Sequence, residues 1–447
     1  MRYLPTLTIL ITIAVGCVNR QGPSPVISDG DNSKPNFQLS SEFEVEIEGL
    51  LKHPKIIEAF SYLQREDDNT ISDLVLLTEI PAPPFKEEVR GTKYADMLRS
   101  EGLDSVWVDK IGNVIGLRKG RTGKKVLALA AHLDTVFPAG TPIKVKQQSD
   151  TLYAPGIADD TRGLVTLLAV LKAMNHSNII TEHDILFIGD VGEEGLGDLR
   201  GMKHLFREGG PKIDYFISVD GTGSESVTNG GLGSHRYRIT FKGPGGHSWG
   251  AFGLGNPHHA LGAAIKYFVD EADKYTGTGA KTSYNIGRIG GGTSVNSIPF
   301  ESWMEVDMRS ESPKRLTEID TILQRAIRKG LADQNSILRN GREITVKIDM
   351  IGNRPSGETD IEDPLVQRAW ASTAALDKKP SLRVSSTDSN IPISKGIPAI
   401  TLGGGGIGKG AHSLGEYYVN SEGFLGIQRV LIIVTAQAEM ASEINNL

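Results

Sequence analysis

VLALAAHLDTVFP, residues 126–138, decides the fold. The apolar run 126–131 suits one short strand buried on both faces. It ends in His132-Leu133-Asp134. An extended chain places residues i and i+2 on the same side, so His132 and Asp134 point together out of the strand's end. A His there can hold a metal while the acid orients its ring. Taken alone, such a pair is most often a solvated surface feature, so the weight falls on what surrounds it.

Two more apolar runs of this kind follow, at 184–188 and 215–219, with an apolar-periodic helical stretch at 164–174 between the first two. This alternation predicts an α/β fold, a mostly parallel sheet with helices on both faces. Residues 41–103 read as helical, broken at Pro81-Ala82-Pro83-Pro84. The pattern changes near Gly230, where strand 235–241, helix 257–272, strands 283–289 and 301–308, helix 313–331 and strand 343–350 succeed one another. The order β-α-β-β-α-β is ferredoxin-like. It predicts a small α+β domain at 230–351 inserted into a larger one made of 42–229 and 352–447, because an apolar run at 399–402 and the ligand-type His412 come only afterwards.

Residue types that can bind metals follow the sheet-type runs or sit at the mouth of a helix. Asp159 lies in GIADDTRG at the mouth of a helix, Glu193 and Glu194 in GDVGEEG, Asp220 in ISVDGTG, and His412 in GKGAHSLGEYY. Adjacent Glu193 and Glu194 at a strand end repel each other unless a cation or proton intervenes. One acid on a metal and the other free to take a proton from water is a natural division. Zinc accepts His nitrogen and carboxylate oxygen, and a two-metal site needs a carboxylate shared by both ions.

The chain has 447 residues and a net charge of -6, with Lys and Arg dispersed among acids. No basic stripe suits nucleic acid, and a small polar or peptidic substrate fits better. Cys17 is the only cysteine, which excludes intrachain disulfides and any cysteine ligand or nucleophile in the folded body. Arg2, an apolar run at 7–15 and Gly16 have the layout of a secretory signal. Ala14-Val15-Gly16-Cys17 resembles a bacterial lipoprotein signal with Cys17 lipidated, which would make 1–17 the signal and the polar, Pro- and Ser-rich 18–41 a flexible tether. The expected location is the bacterial cell envelope, lipid-anchored or secreted and periplasmic, with membrane contact only through that lipid.

From about residue 70 to the C-terminus the motifs, in this order, resemble the co-catalytic zinc metallopeptidase and deacylase family that includes glutamate carboxypeptidase, peptidase T, aminoacylase, acetylornithine deacetylase and succinyl-diaminopimelate desuccinylase. The resemblance implies a zinc exopeptidase-like catalytic domain whose insert is a lid and dimerisation domain, and a homodimer. It implies two zinc ions per chain, with cobalt or manganese as substitutes: His132 and Asp220 on one, Glu194 and His412 on the other, Asp159 bridging. Asp134 would orient His132, and Glu193 would be the general base. His247 in GPGGHSWG would stabilise the oxyanion, often across a dimer, while Asn296 in TSVNSIP and Arg309 in VDMRS would contact substrate oxygens. The implied reaction is hydrolysis of amide bonds in small peptides by a di- or tripeptidase or exopeptidase. An N-acyl amino acid deacylase is the alternative, and a non-catalytic peptide-binding lipoprotein is the alternative of another class, against which an intact Glu193 argues. The chain departs from the commoner pattern at Asp160-Thr161-Arg162-Gly163, which is expected to alter the helix entrance behind the site. Glu416 is either an acid orienting His412 or a solvated surface residue.

Overall fold

Strands that end in ligand-type residues lie side by side because their apolar bodies must be covered on both faces. The computed structural model describes residues 37–442. Cys17, the signal expected at 1–17 and most of the tether expected at 18–41 lie outside them. Val126–His132 runs parallel to Asp184–Asp190 on one side and to Tyr215–Val219 on the other, and Ala399–Leu402 continues the parallel set beside Tyr215–Val219. Antiparallel neighbours flank this set, Val114–Arg118 against Asp184–Asp190 and Ser226–Gly231 against Ala399–Leu402, and further strands continue beyond both. The sheet is therefore parallel at its centre and mixed toward its edges.

Period-two alternation divides the central strand between two cores. Ala128 and Ala130 pack with Met202, Leu205 and Ile391 in the cluster on one face. Helices Arg162–His176 and Gly423–Gln437, buried along nearly all their length, cover the other. The predicted helical region at 41–103 resolves into Ser41–Leu51, Pro54–Arg65, Asp67–Thr78 and Glu88–Ser100, with the proline break before the last.

The inserted element order is as predicted. Thr282–Gly291, Glu301–Ser310, Gly233–Lys242 and Thr345–Arg354 form an antiparallel sheet in that spatial order. Met304, Val306 and Met308 on one strand and Ile239 and Phe241 on the next are buried against helices Pro257–Thr276 and Pro313–Ser336. Both helices begin with Pro at the first turn behind a side-chain cap, Asn256 and Ser312 respectively. The outgoing strand runs past the expected boundary at 351, to Arg354.

The flanking strands Val114–Arg118 and Ser226–Gly231 were not predicted, and neither were two smaller sheets. Gly246–His247 and Ser297–Ile298 form a short ribbon. Lys146–Gln148, Thr151–Tyr153, Tyr417–Val419 and Ile407–Lys409 form a small sheet that brings the loop of His412 back beside that of Asp159. No helix among the described residues is long and apolar enough to cross a membrane.

Candidate metal centre

His132 closes the central strand, and its ring lies between two oxygens. Nδ1 is 3.0 Å from the main-chain O of Asp134, and Nε2 is 3.1 Å from Asp159 Oδ1. The expected contact from the Asp134 carboxylate is not made: its oxygen is 3.8 Å from Nδ1, and the nearer atom is the Asp134 main-chain O. Across the cleft, His412 Nε2 is 2.9 Å from Glu194 Oε1 and 3.2 Å from Asp159 Oδ2. The two oxygens of Asp159 thus serve two histidines on opposite sides. Donor atoms of His132, Asp159 and Asp220 all lie within 4.8 Å of one another, as do those of Asp159, Glu194 and His412. Asp159 is common to both sets, which is the arrangement a bridging carboxylate requires. His132, Glu193 and Glu194 form a third set that overlaps them.

Three buried carboxylates hold this cluster in place by accepting backbone N–H groups. Asp134 accepts from Gly192 at 2.8 Å, Glu193 at 3.1 Å and Glu194 at 2.9 Å. Gly192 has φ +74°, and a Cβ there would strike the Arg200 side chain, so glycine is what lets these amides converge. Asp160 accepts from His132, Gly163 and Gly221, tying the central strand to the helix start and to the loop of Asp220. Glu416 accepts from Gly156, Ala158 and Asp159 at 2.8 to 3.0 Å. Of the two alternatives for Glu416, neither holds: it is buried and positions the Asp159 loop, not His412.

The electrostatics show a surplus of negative charge. Burial, and then Asp159, push Asp220 up to about 8. Burial likewise raises Glu193 to about 7, with Arg354 and His132 opposing and Glu194 adding to the rise. Burial works against ionised Asp159 as well, yet hydrogen bonds from His132 and His412 outweigh it and hold the group below the ordinary carboxylate range. The same bonds to Asp159 and Glu194 raise His412 to about 10. Behind the cluster, Asp190 and Asp388 are buried with no hydrogen-bond donor unless one carboxyl is protonated toward the other. Burial pushes Asp190 up to about 7 and Asp388 well above its ordinary value. Acids packed this densely around two histidines suit divalent cations, so the donor set fits a two-metal centre.

The cluster opens into a cavity of about 630 Å³ whose far wall comes from the inserted domain through Arg236, Asp307, Arg309 and Arg354. Arg309 lines this cavity, with Nε donating to Asp307 Oδ2 at 2.8 Å. His247 and Asn296 are not brought to it within the chain. They lie together on and beside the exposed ribbon, where Ser248 N donates to Asn296 O and His247 Nδ1 accepts from Trp249 N and Gly250 N. Arg354 was missed by the sequence reading, although an Arg directly ending an alternating strand was a usable signal. Its Nη1 donates to Glu193 Oε1 at 2.8 Å and to Ser386 Oγ at 3.0 Å.

Residues 128–433 match the model described as Peptidase family M20/M25/M40. A candidate LysW-lysine/LysW-ornithine hydrolase of Pyrococcus abyssi is 28% identical over 346 residues, 76% of this chain and 85% of that one. Carboxypeptidase G2 of Pseudomonas sp. is 28% identical over 243 residues, 52% of this chain and 56% of that one. Among solved structures, aminopeptidase PepT from Bacillus cereus shares the fold with a TM-score of 0.67 at 20% identity, over 83% of this chain and 99% of that one. Because the family match spans well over half of the chain, the protein belongs to peptidase family M20 and is an amide hydrolase.

Proposed function

We propose that the chain hydrolyses amide bonds in small peptides, as a di- or tripeptidase or exopeptidase, using two metal ions and Glu193 as general base. The observation that carries this is the position of Asp159 between His132 and His412, with Glu193 the acid beside them that neither Asp159-sharing donor set needs. His132 and Asp220 would hold one ion and Glu194 and His412 the other, with Asp159 common to both. Two divalent cations, zinc first for this His and carboxylate set with cobalt or manganese also fitting, would polarise the amide carbonyl and acidify the attacking water. Glu193 would take that water's proton and return it to the leaving nitrogen. The guanidinium of Arg309 suits a substrate carboxylate.

His247 and Asn296 would reach the cavity from a second copy of the chain, which makes a homodimer part of the proposal. The exposed Trp249 and Val295 beside them support a covered surface there. Ala14-Val15-Gly16-Cys17 supports an envelope location with Cys17 lipidated, and radiolabelled palmitate entering the wild type but not Cys17→Ser would test it.

The decisive test incubates the zinc-loaded protein with dipeptides, tripeptides and N-acyl amino acids and reads the products by mass spectrometry. Cleavage of free-amino peptides that stops with a chelator is expected. Cleavage of N-acyl substrates alone would transfer the assignment to a deacylase, and metal binding without any cleavage would favour a binding protein.

A further inference from the structure

The inserted sheet packs its two helices against one face only. Ile239, Phe241, Met304, Val306 and Met308 turn toward those helices, so alternation puts Arg236 and Arg238 of one strand and Trp303, Glu305, Asp307 and Arg309 of the next on the opposite face. Arg236, Asp307 and Arg309, at its near end, line the catalytic cavity. The same face therefore runs on out of the cavity, over about 20 Å from Arg309 to Trp303 at about 3.3 Å per residue. Its far part is tied together. Arg238 and Arg288 donate to the two oxygens of Glu305 at 2.7 and 3.0 Å, and both guanidinium groups lie over the Trp303 ring, 3.9 and 5.5 Å from its centre.

Charge on this face is layered. Beyond the cavity wall it carries Arg238, Lys242, Arg288 and Lys347 against Glu301, Glu305 and Asp349, and on the wall Arg236 and Arg309 share Asp307. The acids of the metal centre, Asp159, Glu193, Glu194 and Asp220, lie at the near end, inside the cavity, where Arg354 answers Glu193. On the far part the acids sit low: the Glu305 side chain is 19% exposed and Asp349 37%, whereas Arg288 and Lys347 are each 68% exposed. What stands out into solvent there is cationic, in a chain whose net charge is -6.

We propose that this face is an exosite that holds the distal part of a longer peptide substrate and favours tails rich in Asp or Glu. The inference rests on the reading of the cavity as the site of a peptide hydrolase. A substrate longer than the cavity must leave it along a wall, and this wall continues beyond it. An extended chain advances at the same rate as the strands beneath it, so about six residues past Arg309 reach Trp303. Carboxylates on such a tail meet the protruding Arg288 and Lys347, and the Trp303 ring with its guanidinium groups offers a flat surface to the tail's backbone. These contacts are the same before and during bond cleavage, so they lower KM and leave kcat as it is.

The test uses the metal-loaded protein and peptides that share a trialanine head and carry, at the amino or the carboxyl end, a tail in which Asp, Ser or Lys alternates with Ala. Trialanine itself is the untailed reference, and kcat and KM are read separately from initial rates. In one of the two series the Asp tail should give a KM about 5- to 20-fold below that of the Ser tail, the yield of two or three exposed ion pairs, and the Lys tail should lie above both. The gain should grow with tail length to about six residues and shrink in about 0.5 M salt. Arg288→Glu combined with Lys347→Glu should reverse the order of the Asp and Lys tails, which a merely structural loss would not do. Should that variant fail to fold, the length and salt series on the wild type decide. Equal KM for Asp and Ser tails, an order that survives the double substitution, or tailed peptides left intact while trialanine is cleaved would overturn the exosite and leave the hydrolase reading standing. A double variant whose mass by light scattering changes while its tail preference does not would make the face a contact between copies and overturn the exosite too. Cleavage of no peptide at all would overturn the hydrolase reading and the exosite with it.

Discussion

Glu193 is where the proposed chemistry meets its most direct test. Glu193→Gln keeps the shape and the bond from Arg354 but cannot take a proton, so kcat should fall by about 10²- to 10⁴-fold with two metal ions still bound per chain; a fully active variant would remove Glu193 from its role. The pKa shifts at the centre add a pH dependence for the metal-free protein. Asp220 and Glu193 are pushed up to about 8 and about 7, chiefly by burial, whereas in the unfolded chain both ionise near pH 4. Between those limits the folded state holds more protons than the unfolded one, so stability falls as pH rises. His412 acts in the same sense: hydrogen bonds to Asp159 and Glu194 raise it to about 10, so its contribution is complete below about pH 6.5 and is lost as pH rises through about 10. Depressed Asp159 contributes in the opposite sense, but only in acid, where its stabilisation is lost as pH falls. Metal-stripped protein should therefore lose Tm from about pH 5 to pH 9, and added zinc should raise Tm most at the upper end. A stripped protein whose Tm climbs over that range would contradict the charge balance. The ligands were legible in the sequence because a metal admits few residue types and each stood at the end of an apolar run. Asp160 and Glu416 were not, because they bind backbone N–H groups, and those are the same at every position.

Among the elements, helix Arg162–His176 begins where the sequence departs from the commoner family pattern, and the structure gives that departure a physical content. Arg162 is wholly buried; Nε donates to Gly404 O and Nη2 to Gly423 O, both at 2.8 Å, and the guanidinium lies over the Tyr418 ring. The residue ties the helix behind Asp159 to the glycine-rich loop and to the C-terminal helix. Arg162→Met fills similar space but removes both hydrogen bonds and the charge over the Tyr418 ring, leaving Gly404 O the Thr166 hydroxyl, so it should destabilise the fold by about 2–4 kcal/mol, read by chemical denaturation, with metal stoichiometry unchanged in the folded fraction. An unaltered denaturation midpoint would make the contacts incidental. The inserted domain was readable from polarity alone because Glu301–Ser310 alternates buried and half-buried residues along its whole length, and because Pro257 and Pro313 mark two helix starts. The small sheet was not readable. Its strands are three residues long, and Lys146–Gln148 is exposed throughout, so no hydrophobic pattern announces them.

At the scale of the whole molecule, two chain crossings join the inserted domain to the catalytic sheet, one near Gly231 and the other at Arg354, and contacts from the insert reach the acid loop directly. Arg236 Nη1 donates to Gly195 O, and Asp198 accepts from Asn353 N. Opening about those crossings would therefore move the arginine wall away from the metal cluster as one unit. His247 and Asn296 stand apart from that wall, on an exposed end of the insert where Trp249 is 87% exposed and Val295 fully so. If a second copy completes each cavity, two individually dead chains should repair each other. Glu193→Gln supplies a normal His247 but no base, and His247→Ala supplies a normal base but no oxyanion donor. In a heterodimer purified through two different tags, one cavity would unite Glu193 of one chain with His247 of the other, while the remaining cavity would lack both. Isologous pairing thus predicts about half of the wild-type turnover per dimer. Each homodimeric variant should lose about 10²-fold or more, and light scattering should give twice the chain mass for all three species. Heterodimers that stay inactive, or a monomeric mass with full activity, would mean that His247 acts within its own chain or takes no part in the reaction.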